Sequence, residues 1–249
     1  MAMTAQALKF RRAIYLDVVV KGPNEEVYPR SILFPTAPGS VYHMTKSMDQ
    51  LLFQFYARND ELRITDLHQG IVWGTQTEET RLHDDLINRF DYDGDYGTVL
   101  NRFLMQAAVG HALTVHGTGG QTRALINIQD TVRCIRLAIE HPPQRGDRVK
   151  IFNQVAETQR VRDLAKTISE MTGARIAYVD NPRKEAAEND LRVSNATFRA
   201  LGLKPILLDQ QLFNETIEIV ERFKDRYNPA VVAARSVWTR DNKPGVVKD

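Results

Sequence analysis

The chain is expected to be an α/β protein, and three observations carry that expectation. Short apolar runs of strand length alternate with segments whose apolar residues recur at helical spacing. Glycine and proline clusters separate the runs. With 249 residues, 43% of them apolar, the chain can bury a substantial core in one large or two small domains.

The elements follow in order. Ala13–Val20, "AIYLDVVV", reads as a strand, and "KGPNEEVYP" after it as a turn-rich loop. Pro35, Pro38 and Gly39 interrupt the chain, and Ser40 can cap a helix. Val41, Met44, Met48, Leu51, Leu52 and Phe55 then predict a helix to about Arg58. Leu62–Gly74, "LRITDLHQGIVWG", reads as a buried strand entering a loop, with Leu62, Ile64 and Leu67 facing a core. Helical segments are expected near 80–89 and 97–109. "ALTVHG" reads as a strand, "GTGGQTR" as a turn, and "ALINIQD" as a strand entering a helix at 130–140. "RVKIFNQV" is a strand, 158–172 a helix, "ARIAYV" a strand, and 195–201 and 208–226 are helical.

Composition excludes several function classes. A net charge of +2 gives no field for nucleic acid or an acidic membrane surface. No apolar run approaches the roughly 18 residues of a membrane span, and no apolar segment follows the basic residues near the N-terminus. A single cysteine, Cys134, makes no internal disulfide, which fits a reducing, cytoplasmic setting. His83, His111 and Cys134 do not have metal-ligand spacing, so no metal is expected.

Tyr42 and Lys46 stand four residues apart and would share a helix face. A lysine ammonium near a phenol favours its ionised form. Such a tyrosine can exchange a proton with a sugar hydroxyl while a nicotinamide exchanges a hydride. Alone, the pair is more often helix surface than site. "GTGG" is a turn in most proteins, Asn101 could be a helix cap, and Arg123 and Arg183 could be surface arginines.

The order of segments says more: "YHMTK", "TDLHQGIVWGTQTEET", "NRFDYDGDYGTVLNRFLMQAAVG", "LTVHGTGGQTRALINIQDTVRC", "IFNQ" and "NPRKEAAEND". Together they resemble the extended short-chain dehydrogenase/reductase superfamily of nucleotide-sugar epimerases and dehydratases, and within it the UDP-sulfoquinovose synthases. The resemblance covers about residues 28–240. One strand reads His68-Gln69-Gly70 where the plant-like pattern reads Asn-Gln-Gly.

The resemblance implies a partial Rossmann-like fold with a C-terminal α/β nucleotide-sugar-binding domain. Residues 1–75 would be the remnant of the NAD-binding domain and 76–249 mainly the sugar-nucleotide domain. Tyr42 would be the active-site acid/base and Lys46 its partner and ribose contact. Gln69 and Val72 would face nicotinamide and sugar. Asn101 would meet the diphosphate at a helix start, Thr114, Val115 and His116 would pack the uracil edge, and Gln121 would follow the glycine turn. Arg123 and Arg183 would clamp the phosphates, for which guanidinium geometry is suited. The helix at 40–58 would form a homodimer interface. The implied activity is NAD-dependent rearrangement of a UDP-sugar through a 4-keto intermediate, with sulfite addition at C6 in the sulfoquinovose branch.

One implied part is not in the sequence. Only Gly22 and Gly39 precede Tyr42, and no Gly-x-x-Gly-x-x-Gly fingerprint occurs in the chain. The cofactor half is therefore expected to be largely missing, and three functions stay open. They are an enzyme of this class, a UDP-sugar-binding module without turnover, and a dimerisation module.

Overall fold

A computed structural model describes residues 14–21, 27–34, 38, 41–88, 90–92, 97–181, 186–189, 191–208 and 210–232. Contacts divide the chain into two compact units, 1–56 and 57–249. The unit from 57 contains parallel strand pairs with helices between them, the α/β class expected.

The first unit holds a hairpin and most of a helix. Strands β1 (Ile14–Lys21) and β2 (Val27–Phe34) pair antiparallel, with Ile14 opposite Phe34 and Lys21 opposite Val27. The loop expected after β1 is thus partly strand. Pro29 lies within β2, and a two-stranded ribbon tolerates proline because each strand has an edge that needs no donor. Helix α1 spans Val41–Asn59, free of glycine and proline, with Arg58 in the last turn where a cation suits the helix dipole. Its apolar stripe stands open: Met44, Met48, Leu51 and Phe55 are all exposed.

In the second unit, β3 (Thr65–Gln69) pairs parallel with β7 (Lys150–Gln154). The short β4 (Ile71–Trp73) pairs parallel with β6 (Gly120–Asn127), which also takes β8 (Glu157–Arg160) antiparallel and the two-residue β10 (Glu188–Asn189) parallel. β5 (Leu113–His116) pairs parallel with β9 (Ile176–Val179). Helices α2 (Val99–Ala108), α3 (Ile128–Glu140), α4 (Val161–Thr172), α5 (Ala196–Ala200) and α6 (Gln210–Arg222) complete the unit.

The main core joins Trp73, Leu100, Phe103, Leu104, Leu113, Val115, Leu125, Leu164, Ile168 and Phe213. Leu164, Ala165 and Ile168 with Val161 give α4 a one-sided buried face, i, i+3, i+4, i+7. α2 is buried nearly all round, from Leu100 to Gln106, as suits a helix between layers. Each fully buried Leu or Phe here contributes about 1.5–3 kcal/mol. A second cluster joins Ile126, Cys134, Leu137, Phe152, Phe198 and Leu203, against which Leu67 packs. Leu62, expected in a core, is half exposed.

Three further expectations are corrected. The helix expected at 80–89 is two 3-10 turns, Thr80–Leu82 and Asp84–Leu86, fastened to α6 by Arg81–Glu215 and Asp84–Arg222 ion pairs. The turns keep short-range backbone hydrogen bonds, such as Leu86 N–H to the His83 carbonyl at 3.0 Å, and the ion pairs add long-range ties. "GTGGQTR" is turn only through Gly119, because Gly117 and Gly119 take positive φ while Gly120 already opens β6. The helix expected from 158 starts at Val161, since 157–160 pair with β6 as β8.

Candidate functional site

In open α/β sheets, ligands bind beyond the carboxyl ends of parallel strands; of the predicted residues of the second unit, Gln69 ends β3 and His116 ends β5, whereas Gln121 and Arg123 lie in the first half of β6. β3 ends at the exposed Gln69. Gly70 then donates its N–H to the Gln154 carbonyl at 2.9 Å. A Cβ on Gly70 would stand 3.0 Å from the Ala124 carbonyl oxygen and 3.1 Å from that of Gln154. A side chain there would press on two backbone carbonyls at the point where the chain passes from β3, paired with β7, to β4, paired with β6. Val72 follows on β4, opposite Ile126, partly buried against the Ile126–Phe152 cluster.

Beyond β4 the loop is held by amides. Gly74, at φ +84°, donates to Asn101 Oδ1 at 3.0 Å, and Asn101 Nδ2 donates back to the Gly74 carbonyl at 3.4 Å. Thr98, at the start of α2, donates its hydroxyl to the Val72 carbonyl at 2.9 Å, while Asn88 Nδ2 donates to the Thr75 carbonyl at 2.9 Å. Asn101, expected at the diphosphate, thus has both amide atoms engaged with the loop that follows β4.

Within β5, Thr114 is tied twice to Gln106. Its N–H donates to Gln106 Oε1 at 3.0 Å, and Gln106 Nε2 donates to its hydroxyl at 2.8 Å. The buried Arg102 donates Nη2 to the Thr114 carbonyl at 3.1 Å. Val115 is fully buried in the core, and His116 is half-buried at the strand end. Gly117 closes the strand by donating to the Val179 carbonyl at 2.8 Å.

The glycine turn is packed shut from the protein side. A Cβ on Gly119, at φ +65°, would stand 2.7 Å from Val115 Cγ1 and 2.9 Å from Arg162 Cβ. A side chain at that position would force its neighbours to shift. Gln121, nearly fully buried, brings its Nε2 within 3.8 Å of where a Gly117 Cβ would be. Strand alternation places Gln121 and Arg123 on one face of β6 and Thr122 on the other. Thr122 is occupied: its hydroxyl donates to the Asn189 carbonyl at 2.9 Å and its N–H donates to Asn189 Oδ1 at 2.6 Å. Arg123 is half-buried and donates Nη1 to the Thr122 carbonyl at 3.4 Å.

In the first unit, Tyr42 and Lys46 share a face of α1, as their spacing predicts. The Lys46 ammonium lies 5.9 Å from the centre of the Tyr42 ring and pairs with Asp49 at 2.9 Å. The His43 ring meets the Tyr42 ring edge-on at 5.7 Å. Tyr42 is exposed. Arg183 lies outside the described residues. Among the described residues, no group of three or more His, Cys, Asp and Glu is placed to hold a metal ion. No helix among them is long and apolar enough to cross a membrane.

One pair escaped sequence reasoning: Asp66 and His68 meet on β3, with His68 Nε2 3.1 Å from Asp66 Oδ2. The signal was present as Asp-x-His within a strand, which puts both side chains on one face.

The model of the NAD dependent epimerase/dehydratase family matches residues 5–153. UDP-sulfoquinovose synthase from Spinacia oleracea is 41% identical over 212 residues, 83% of this chain and 44% of the relative. UDP-sulfoquinovose synthase from Sulfolobus acidocaldarius is 34% identical over 204 residues, 80% of this chain and 50% of the relative. The chain thus spans about half the length of these relatives. Among solved structures, the Thermotoga maritima UDP-glucose 4-epimerase with UDP-glucose superposes at a TM-score of 0.58 and 21% identity, over 81% of this chain and 56% of that one. At that identity the superposition shows a shared fold.

Proposed function

The chain belongs to the NAD dependent epimerase/dehydratase family, and from that premise we propose that its second unit holds a UDP-sugar in UDP-sulfoquinovose-synthase-like chemistry. The observation that carries this reading is the placement of Gln121 and Arg123 on one face of β6, directly after the turn that ends β5. A buried amide and a guanidinium two residues apart on a strand offer donors to adjacent diphosphate oxygens. The 41% identity to the spinach enzyme favours a UDP-sugar over other anions.

In this reading Arg123, with Arg183, neutralises the diphosphate. His116 and the backbone of Thr114 and Val115 meet the uracil edge, since the Val115 side chain is committed to the core. Asn101 acts by shaping the loop after β4. Tyr42 moves the proton of a sugar hydroxyl, and Lys46 holds the ribose of the cofactor. When bound, NAD supplies hydride acceptance and return at C4 of the sugar. By the family pattern, Gln69 and Val72 of the second unit would serve its nicotinamide end, and Tyr42 and Lys46 of the first unit carry the acid/base and ribose roles of that pattern. No Gly-x-x-Gly-x-x-Gly fingerprint for the NAD pyrophosphate occurs in the chain. The single cysteine supports a reducing compartment such as the cytoplasm, and α1 is the proposed dimer surface.

Calorimetric titration with UDP tests the reading. Wild-type chain is expected to bind UDP, and Arg123→Ala to lose about 1.5–3 kcal/mol of that affinity. Equal UDP affinity in the two proteins would remove Arg123 from the site, and no UDP binding by the wild type would overturn the reading.

A further inference from the structure

We infer that Asn189 is a positioning residue for the diphosphate face of β6: by gripping Thr122 it sets the direction of Gln121 and Arg123, the residues on either side. This inference deepens the UDP-sugar reading and rests on it.

Thr122 is held at two points by one residue. Its N–H donates to Asn189 Oδ1 at 2.6 Å, and its hydroxyl donates to the Asn189 backbone carbonyl at 2.9 Å. The first bond fixes the peptide that joins Gln121 to Thr122. The next peptide is engaged as well, since the Thr122 carbonyl accepts Arg123 Nη1 at 3.4 Å. Successive strand side chains point to opposite faces. A residue fixed at both its backbone and its side chain therefore dictates where its two neighbours point. Asn189 meets the Thr122 hydroxyl on the face opposite to that of Gln121 and Arg123, so the grip stays off the face proposed for the diphosphate.

The grip goes beyond what strand pairing supplies. β10 gives β6 two register pairs, Glu188 with Gly120 and Asn189 with Gln121, and Thr122 lies one residue past them. Its N–H is met there by a side-chain carbonyl in place of a strand carbonyl. An asparagine side chain carries the same C=O group as a peptide, so it can continue a ladder by one bond.

The close approach of β10 is built into β6. A Cβ on Gly120 would stand 2.5 Å from Glu188 Cγ and 2.8 Å from the Ala187 carbonyl oxygen. Glycine at this position lets 187–189 come near enough for Asn189 to reach Thr122. Two more contacts hold the same segment. Thr118 donates its hydroxyl to the Ala187 carbonyl at 3.0 Å, and Arg162 Nη1 lies 3.2 Å from Glu188 Oε1. The Glu188 carboxylate is thereby paired with a cation beside a strand that is proposed to meet an anion.

Calorimetric titration of the full chain with UDP tests the role, with the Arg123 Nε–Hε group read by 1H–15N correlation. Asn189→Ala is expected to weaken UDP about three- to tenfold, the worth of one hydrogen bond, and to move the Arg123 resonance. In an Arg123→Ala background the same change is expected to cost less than in the wild type, because a positioning residue acts through the residues it positions. Thr122→Val is expected to copy part of the loss, and Thr122→Ser, which keeps the hydroxyl, to recover it. Thr118→Val frees the same segment at its other end and is expected to leave UDP affinity as in the wild type. Equal loss in Thr118→Val would show that the segment acts as a whole and would overturn the role of Asn189. Wild-type UDP affinity in Asn189→Ala, or a loss that adds in full to that of Arg123→Ala, overturns the inference and leaves the broader reading standing. An unmoved Arg123 resonance overturns it as well, and decides alone where Arg123→Ala binds too weakly to titrate. Failure of the wild type to bind UDP brings down both.

Discussion

Asn101 grips Gly74 from both sides, accepting its N–H at 3.0 Å and donating to its carbonyl at 3.4 Å across 27 residues of sequence. A side-chain amide here imitates a backbone strand partner, on a loop whose glycine sits at φ +84°. Asn101→Ala leaves two half-buried backbone groups without this partner. It is expected to lower unfolding stability by about 1–3 kcal/mol, read as a fall in the urea midpoint at constant m. Unchanged stability would return Asn101 to a purely ligand-facing role.

Gly70 is the second fixed point. An added methyl would meet two backbone carbonyl oxygens, at 3.0 and 3.1 Å, and neither can rotate away as a side chain would. Gly70→Ala is expected to destabilise by about 1–3 kcal/mol through overpacking. Gly110→Ala is a useful contrast: nothing stands within 4 Å of its added Cβ, so any cost there comes from φ +74° alone. Thermal melts of the two variants separate steric contact from backbone strain.

The contrast between these glycines shows where sequence reasoning reaches. Helices α1 and α2 were legible because their apolar residues recur at helical spacing, and β5 because "ALTVHG" is a bounded β-branched run. The shared face of Tyr42 and Lys46 was legible for the same reason. What fixes residues 80–86 was not. Their partners, Glu215 and Arg222, lie more than 130 residues away, so local pattern cannot report them. The Asn101–Gly74 grip and the Thr114–Gln106 pair are likewise products of tertiary contact, and from sequence both polar residues looked equally ready for a ligand. The Asp66–His68 pair was legible in principle, since it needs only the period of a strand.

Asp84 pairs with both guanidinium nitrogens of Arg222, one at 3.0 Å, and this contact holds its carboxyl below the usual carboxylate range. A folded-state pKa below the unfolded one gives stability that is present above the unfolded value and lost as pH falls through the folded value. The contribution is thus expected to be full at neutral pH and to fade below about pH 4. A double-mutant cycle of Asp84→Asn and Arg222→Ala should show coupling at pH 7 that vanishes near pH 2 and shrinks in high salt. Coupling that persists in acid would show that the pair is held by packing instead of charge.

Cys134 is fully buried in the Ile126–Phe152 cluster, and burial, reinforced by the nearby Asp130, pushes its thiol up to about 12. The thiolate is the reactive form, so the native protein is expected to react with Ellman's reagent only through opening. The labelling rate should follow urea-induced unfolding and rise with the unfolded fraction. Fast labelling in the native state would show that the second cluster opens locally.

The apolar stripe of α1 makes the last expectation. Met44, Met48, Leu51 and Phe55 fall on neighbouring turns of one helix, and their exposures run from 43% to 71%. Single exposed apolar residues are ordinary, but a continuous stripe along a helix marks an interaction surface. Each such side chain, once covered, gains about 1.5–3 kcal/mol, enough in sum to offset the loss of freedom on pairing. The polar residues beside it, among them the Lys46–Asp49 pair, can stay wet at the rim of such an interface. Sedimentation equilibrium is expected to show concentration-dependent self-association of the full chain. Leu51→Glu and Phe55→Glu each place a charge in the stripe and should shift the protein toward monomer, whereas Gln54→Glu, on the same helix but outside the stripe, should not. If all three variants associate like the wild type, contact between copies runs through another surface and α1 is not the dimer helix.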